Sequence, residues 1–317
     1  MELNFDLDFI APVGLLTSVV LFIHRRPETT RRVFALISQY KPERLYIFAD
    51  GPRTDKDEDE ESLVRSAREE TEGVDWHCEV FRHYSLENIG LSKSVLGGLD
   101  LVFQSESSAI ILEDDCMPSP SFFPFAEKLL GQFEHSEEVA IISGTNLSGM
   151  RRTTDPYMFI GHPYIWGWAT WKDTWQDFRS HDSPGRSFSN SCDAIPGMFS
   201  KLLFWNLLLR EVNLNSWAIP FAKYIHARKL LCAMPSVNLI QNIGFDESST
   251  HGNLERIFAS VEAGSLDVHS GPPLQTSRNR SKERQISRQM LRRLLKSLLR
   301  DPVLVLQVVK RAFAPLK

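Results

Sequence analysis

Ala109-Ile110-Ile111-Leu112-Glu113-Asp114-Asp115 is the stretch that decides how this chain folds. A short, wholly apolar run bounded by polar residues reads as a strand buried on both faces. It ends on three consecutive carboxylates. These repel one another, so a fold keeps them together only with a compensating cation or hydrogen bonds. A hard divalent ion, Mn2+ or Mg2+, would neutralise them and bridge to a diphosphate. The rival reading makes the same acids caps of a helix that begins near Ser119-Pro120.

Outward from this run, strand and helix signals alternate. Ser18–Ile23 is a second apolar run, followed by Pro27 at the start of a helix whose Val33, Leu36, Ile37 and Tyr40 share one face. Leu45–Ala49 is another strand, closed by Asp50-Gly51-Pro52, and the acidic stretch Asp55–Glu61 reads as a solvated loop leading into a charged helix. Trp76–Phe81 reads as a strand, and Ser92 as the cap of a helix with Val95, Leu99, Val102 and Phe103 on one face. Beyond Ser119-Pro120, Phe122, Phe125, Ala126, Leu129, Leu130 and Phe133 predict another helix, and Val139–Ile142 another strand. This alternation predicts an α/β fold around a parallel sheet, in which ligands bind at the carboxyl ends of the strands. Three strands end in polar groups: His24-Arg25-Arg26, Asp50-Gly51 and Glu113-Asp114-Asp115.

Composition narrows the function classes. The 317 residues are 42% hydrophobic and 24% charged, enough for a sizeable core, and a net charge of −4 gives no sign of specific nucleic-acid binding. Cys78, Cys116, Cys192 and Cys232 are scattered and form no C-x-x-C pair, which argues against a zinc site or disulfide framework and favours a reducing, cytoplasmic setting. Residues 9–23 are broken by Pro12, Gly14, Thr17 and Ser18, too short and interrupted for a membrane span. No G-x-G-x-x-G follows the first strand, which disfavours a dehydrogenase.

The run Ile110-Ile-Leu-Glu-Asp-Asp-Cys-Met-Pro-Ser-Pro-Ser-Phe-Phe123 resembles the metal-binding segment of GT-A glycosyltransferases. The kinship is with bacterial sugar-transferase proteins related to N-acetylglucosaminyltransferase I. Leu21–Pro27, Tyr46–Arg53, Asn88–Leu91, Trp166–Trp171 and Pro235–Phe245 resemble further segments of that family in consistent order. The resemblance implies a GT-A type fold, a mainly parallel Rossmann-like sheet flanked by helices, here with a C-terminal helical tail. It also implies a nucleotide-diphosphate sugar, most simply a UDP-sugar, as donor. On this reading Asp115 is the main metal ligand, Asp114 faces the ribose or donor sugar, and Glu113 touches the sugar. Asp50 meets the base, and Arg25 and Asn88 lie beside the nucleotide; the plain alternatives are a turn residue, a surface charge and a turn. Ser249 and His251 fall where the family carries a mobile loop, Ser249 donating to phosphate and His251 as a second metal ligand, a donor to phosphate or a solvent-facing histidine. Trp166, Trp168 and Trp171 are either an acceptor wall or core.

One position departs from the family. The related enzymes place an Asp after a Trp in the segment matching Ser216-Trp217-Ala218; here Ala218 and Ile219 follow, so no base stands there. Asp246 and Glu247 are weak candidates for that role. A transferase domain over 1–263 is expected, with a nucleotide half at 18–145 and an acceptor half at 146–263, then a polar linker at 264–288 and a basic amphipathic helix at 289–317. From Arg278 onward twelve Lys and Arg face only Glu283 and Asp301, with leucines at helical spacing between them. Such a helix suits an anionic membrane surface, bringing the enzyme to a glycan or lipid-linked acceptor; packing on its own domain is the rival reading. Two other functions stay open: a sugar-nucleotide pyrophosphorylase, which lacks its Gly-rich loop here, and a non-catalytic sugar-nucleotide-binding or membrane-associated scaffold.

Overall fold

A computed structural model describes residues 17–53, 58–147, 155–181, 216–244, 261–267 and 277–300. The chain runs β1 (Ser18–Ile23), α1 (Pro27–Tyr40), β2 (Arg44–Ala49), α2 (Glu58–Glu69), β3 (Glu79–Tyr84), α3 (Leu91–Ser105) and β4 (Ser108–Glu113). It continues through β5 (Cys116–Pro118), α4 (Phe122–Gln132), β6 (Val139–Ser143), β7 (Tyr157–Ile160), β8 (Trp168–Trp171) and α5 (Lys172–His181). After that come α6 (Ala218–Arg228), β9 (Leu231–Pro235), β10 (Ile240–Asn242) and α7 (Arg280–Arg300).

Among the described residues eight strands form one sheet, in the order β3-β2-β1-β4-β8-β6-β9-β7, and β5 pairs with β10. β3, β2, β1 and β4 are mutually parallel. β8 runs antiparallel between β4 and β6, and β7 antiparallel to β9 at the edge. The sheet is therefore mainly parallel, as the alternation of signals predicted. The two expected halves share it, since β8 lies between strands of the first half.

Both faces are covered, and the period of 2 sorts side chains between them. Val19, Leu21, Ile23, Ile110 and Leu112 enter one apolar cluster with α1 and α4. Val20, Phe22, Ala109 and Ile111 enter the other, with α3, α5 and α6. Strands buried on both sides cannot alternate polar and apolar residues, which explains the uninterrupted runs.

Several expectations shift. The third strand is Glu79–Tyr84, three residues later than Trp76–Phe81. Trp76 lies before the strand, and its indole N–H donates to the Pro42 carbonyl at 2.9 Å. Ser92 lies inside α3, whose N-cap is Gly90 at φ 84°, a conformation glycine adopts without strain. The C-terminal helix begins at Arg280, not 289, and its first turns are docked. The Asn279 N–H donates to the Phe159 carbonyl at 2.9 Å, the Gly161 N–H donates to Glu283 Oε1 at 2.6 Å, and Ile286 is buried. Residues 277–288 are thus fastened to the end of β7, and the expected linker is shorter by that stretch. No helix among the described residues is long and apolar enough to cross a membrane.

Candidate functional site

The carboxyl ends of β1, β2 and β4 open into one cleft, bounded by the N-terminus of α3. β1 is flanked by β2 on one side and β4 on the other, so their connections leave in opposite directions and part the chain there. The three polar strand ends read from the sequence meet in this place.

β4 carries Glu113 at its last position, and the chain turns through Asp114 and Asp115 before β5. Asp114 and Asp115 are 7% and 5% exposed. Such burial is costly for two adjacent carboxylates unless cations and N–H groups meet them. Arg26, at the start of α1, meets both: its Nη1 donates to Asp115 Oδ2 at 2.6 Å and lies 3.8 Å from Asp114 Oδ1. The His24 backbone N–H donates to Asp114 Oδ2 at 3.0 Å. Asn242 on β10 donates to Asp115 Oδ1 at 3.4 Å, and Ile243 N–H to the Asp115 carbonyl at 2.8 Å. Burial, and then the Asp115 charge, push the Asp114 carboxyl well above the usual range; Arg26 and the His24 N–H oppose this without cancelling it. The acids do not cap α4, because β5 intervenes and the N-cap position is Ser121, whose side chain makes no capping bond to the helix.

These donors fit a hard divalent cation. They are oxygens only, and the pair remains short of positive charge even beside Arg26. Among the described residues no three His, Cys, Asp or Glu side chains form a ready cage. A cage is not required, since Mg2+-type ions sit on one or two carboxylates and complete their shell with water and substrate phosphate. Cys116 supplies no thiolate, because burial and the neighbouring acids push its thiol up.

Across the cleft, Asp50 follows β2. Its Oδ1 accepts the Gly51 and Ile89 N–H groups at 2.9 and 2.8 Å, and its Oδ2 accepts Gly90 N–H at 2.9 Å. Asp50 was expected to meet a base. Its carboxylate fastens the loop at 88–90, and so sets where α3 begins. Asn88 joins the same network, its Nδ2 donating to the Gly51 carbonyl at 3.0 Å and lying 3.3 Å from His24 Nε2. Burial lowers the His24 pKa, so that ring is neutral near pH 7.

Glu60, and the contact of Arg26 with the acids, are the features of this cleft that the sequence reading missed. Glu60 is 4% exposed, with His24, Arg25 and Arg53 at 3.6, 3.7 and 3.9 Å from its oxygens. One carboxylate thus faces two arginines and a neutral histidine that line the cleft. The stretch read as a solvated loop supplies it, and the period could have shown this: Glu60, Val64 and Ala67 share the buried face of α2.

Of the expected acceptor wall, Trp168 and Trp171 are core. They are 1% and 7% exposed on opposite faces of β8; Trp168 stacks on Trp217 at 5.6 Å, and the Trp171 indole N–H donates to Leu130 O at 3.2 Å. A strand between β4 and β6 is buried on both sides, so tryptophans there fill volume. Trp166 is half-buried, packs on the first cluster, and its carbonyl accepts the Thr145 hydroxyl. α6 begins at Ala218 with no acidic residue in its first turn, as the sequence indicated. Asp246, Glu247, Ser249 and His251 lie outside the described residues.

No family model and no curated protein matches the chain. Among solved structures it is similar to a UDP-glucose pyrophosphorylase complexed with UDP-glucose, at 11% identity over 69% of this chain and 90% of that one, with a TM-score of 0.35. It is also similar to 4-diphosphocytidyl-2C-methyl-D-erythritol synthase from Anaerococcus prevotii, at 9% identity over 60% and 84%, TM-score 0.33. A mannosyltransferase from Pyrobaculum calidifontis in complex with GDP-Man and Mn2+ matches at 11% identity over 66% and 68%, TM-score 0.32. Likenesses this slight decide nothing about the chemistry, which has to be read from this chain's own residues.

Proposed function

We propose that this chain is a metal-dependent glycosyltransferase. It would move a sugar from a nucleotide-diphosphate donor, with uridine the base the GT-A resemblance points to, onto a glycan or lipid-linked acceptor. One observation carries the reading: Asp114 and Asp115 are held, buried and close to Arg26, at the carboxyl end of a parallel sheet, in a cleft also lined by Arg25 and Arg53. Adjacent acids and bases at one strand end suit a ligand that carries both cation and anion, as a metal-bound diphosphate does.

Asp115, with Asp114, would hold Mn2+ or Mg2+, which when bound supplies a Lewis acid for charge on the departing diphosphate. Arg25 and Arg53, steadied by Glu60, present positive charge to the phosphates. Asp50 and Asn88 fix the loop that shapes the nucleotide end. Glu113, half-buried at the rim, would touch the donor sugar. Ala218 offers no base, and Asp246 and Glu247 stay the candidates for deprotonating the acceptor. α7 supports delivery to an anionic membrane surface: Arg284, Arg288, Arg292 and Lys296, spaced four apart, are all exposed.

The test is release of nucleoside diphosphate from a panel of nucleotide sugars with Mn2+, with and without lipid and glycan acceptors. Release from one donor class, lost in Asp115→Ala, is expected. Formation of nucleoside triphosphate from pyrophosphate and a nucleotide sugar would assign a pyrophosphorylase instead. Binding without turnover would assign the scaffold reading.

A further inference from the structure

We infer that Arg26 is an exchangeable cation: it neutralises the acidic pair while the site is empty, and moves onto the diphosphate when a divalent ion takes Asp115. This rests on the metal-dependent reading above and assigns a role to a residue that reading leaves aside.

The Arg26 backbone is fixed, because its carbonyl accepts the Thr30 N–H at 2.9 Å and the Thr30 hydroxyl at 2.8 Å at the start of α1. Its side chain is what can move. It reaches over the cleft to Asp115 Oδ2 at 2.6 Å, with Asp114 Oδ1 at 3.8 Å. Gly244 closes over this pair. A Cβ there would lie 2.2 Å from Asp115 Oδ2 and 2.6 Å from Arg26 Nη1, so only a glycine lets the chain pass so near. The Gly244 N–H is held in turn by Asn242 Oδ1 at 2.9 Å.

A guanidinium and a divalent ion compete for that oxygen, because their charges repel where solvent screens little. Metal entry therefore weakens the hold of Asp115 on Arg26, which favours its leaving a half-buried place. An expelled guanidinium is stabilised by an anion within reach, and Arg26 lines the cleft assigned to the diphosphate. Metal and diphosphate should then bind cooperatively, each favouring the other by the same factor. Without diphosphate, Arg26 competes with the metal; with it, Arg26 joins the anion's ligands.

Two readings on the intact chain test this. The first is Mn2+ affinity, from loss of the free-ion paramagnetic resonance signal, for wild type, Arg26→Gln, Arg26→Lys and Asp115→Asn. The second is thermal stabilisation by Mn2+ together with inorganic pyrophosphate. Arg26→Gln should bind Mn2+ alone roughly tenfold more tightly, within the usual span of coupling free energies, yet gain less from added pyrophosphate than wild type does. Arg26→Lys keeps the charge and the fold, and should stay near wild type in both readings. Asp115→Asn should lose Mn2+. Equal or weaker Mn2+ binding by Arg26→Gln, in a wild type that does bind Mn2+, overturns the exchange and leaves the metal-dependent reading intact. Absence of Mn2+ binding from wild type and Arg26→Gln alike overturns both.

Discussion

Asp114→Asn should make the ligand-free protein more stable while disabling it. The carboxylate is buried, beside Asp115, with Arg26 nearer to its neighbour than to itself. At an effective dielectric of 20, attraction across the 3.8 Å to Arg26 is about 4 kcal/mol. Against it stand a burial penalty of several kcal/mol for an ion in real proteins and the repulsion of Asp115. The raised pKa of Asp114 shows that the opposing side prevails. Asparagine keeps an oxygen for the His24 N–H and removes the charge, for a net gain of about 1–2 kcal/mol. At 2–4 °C per kcal/mol for a large domain, the melting temperature should rise by roughly 2–8 °C. The assay is scanning calorimetry in chelator at pH 8, repeated at lower pH. A carboxyl whose folded pKa is raised to about 7 costs stability increasingly as pH climbs from its unfolded value to the folded one and by a constant amount above that, so the gain should be largest at pH 8 and fade as pH falls from about 7 toward about 4. With Mn2+ and nucleotide the order should reverse, since the variant has lost its share of the ligand. A variant less stable than wild type at pH 8 in chelator would refute the reasoning, and would make Asp114 a structural anchor.

Two further perturbations probe the surroundings. Gly244→Ala places a Cβ against Asp115 and Arg26 and should cost about 1–3 kcal/mol as an overpacked site, with weaker Mn2+ binding; urea unfolding and Mn2+ titration check both. His162 and His226 lie 3.2 Å apart, and burial lowers them to about 3 and about 4. The unfolded chain therefore takes up protons below pH 6.5 that the folded one does not, and stability should fall toward pH 4 by about 1.4 kcal/mol per pH unit for each histidine, offset in part by Asp114. Replacing both histidines with glutamine should flatten that slope in urea unfolding, and parallel slopes would contradict it.

How far the sequence reached depends on which contacts were local. The parallel strands were legible because burial on both faces leaves uninterrupted apolar runs, and the site because those runs stop at charged residues. Arg26 and Arg25 are adjacent, and which one turns to the acids depends on how α1 leaves β1, a tertiary matter. The duty of Asp50 was hidden for the same reason: its amide partners at 89 and 90 come from a distant loop. Asn242 lies 127 residues from the aspartate it meets. Glu60 was legible, since a carboxylate in phase with Val64 and Ala67 belongs to the inner face of α2. Trp168 and Trp171 were open to both readings until β8 was seen to lie between two strands.

The central claim is that the acids after β4 hold a metal-bound nucleotide diphosphate. Thermal unfolding of wild type and Asp115→Ala, with a panel of nucleotides and nucleotide sugars and with or without Mn2+, tests it most directly. A ligand at 100 times its Kd should add roughly 2.7 kcal/mol. The account predicts a clear, Mn2+-dependent rise with one nucleotide family that Asp115→Ala abolishes. No shift with any nucleotide, in Mn2+ or without it, would contradict the account and leave the acidic run a structural feature of the sheet's end.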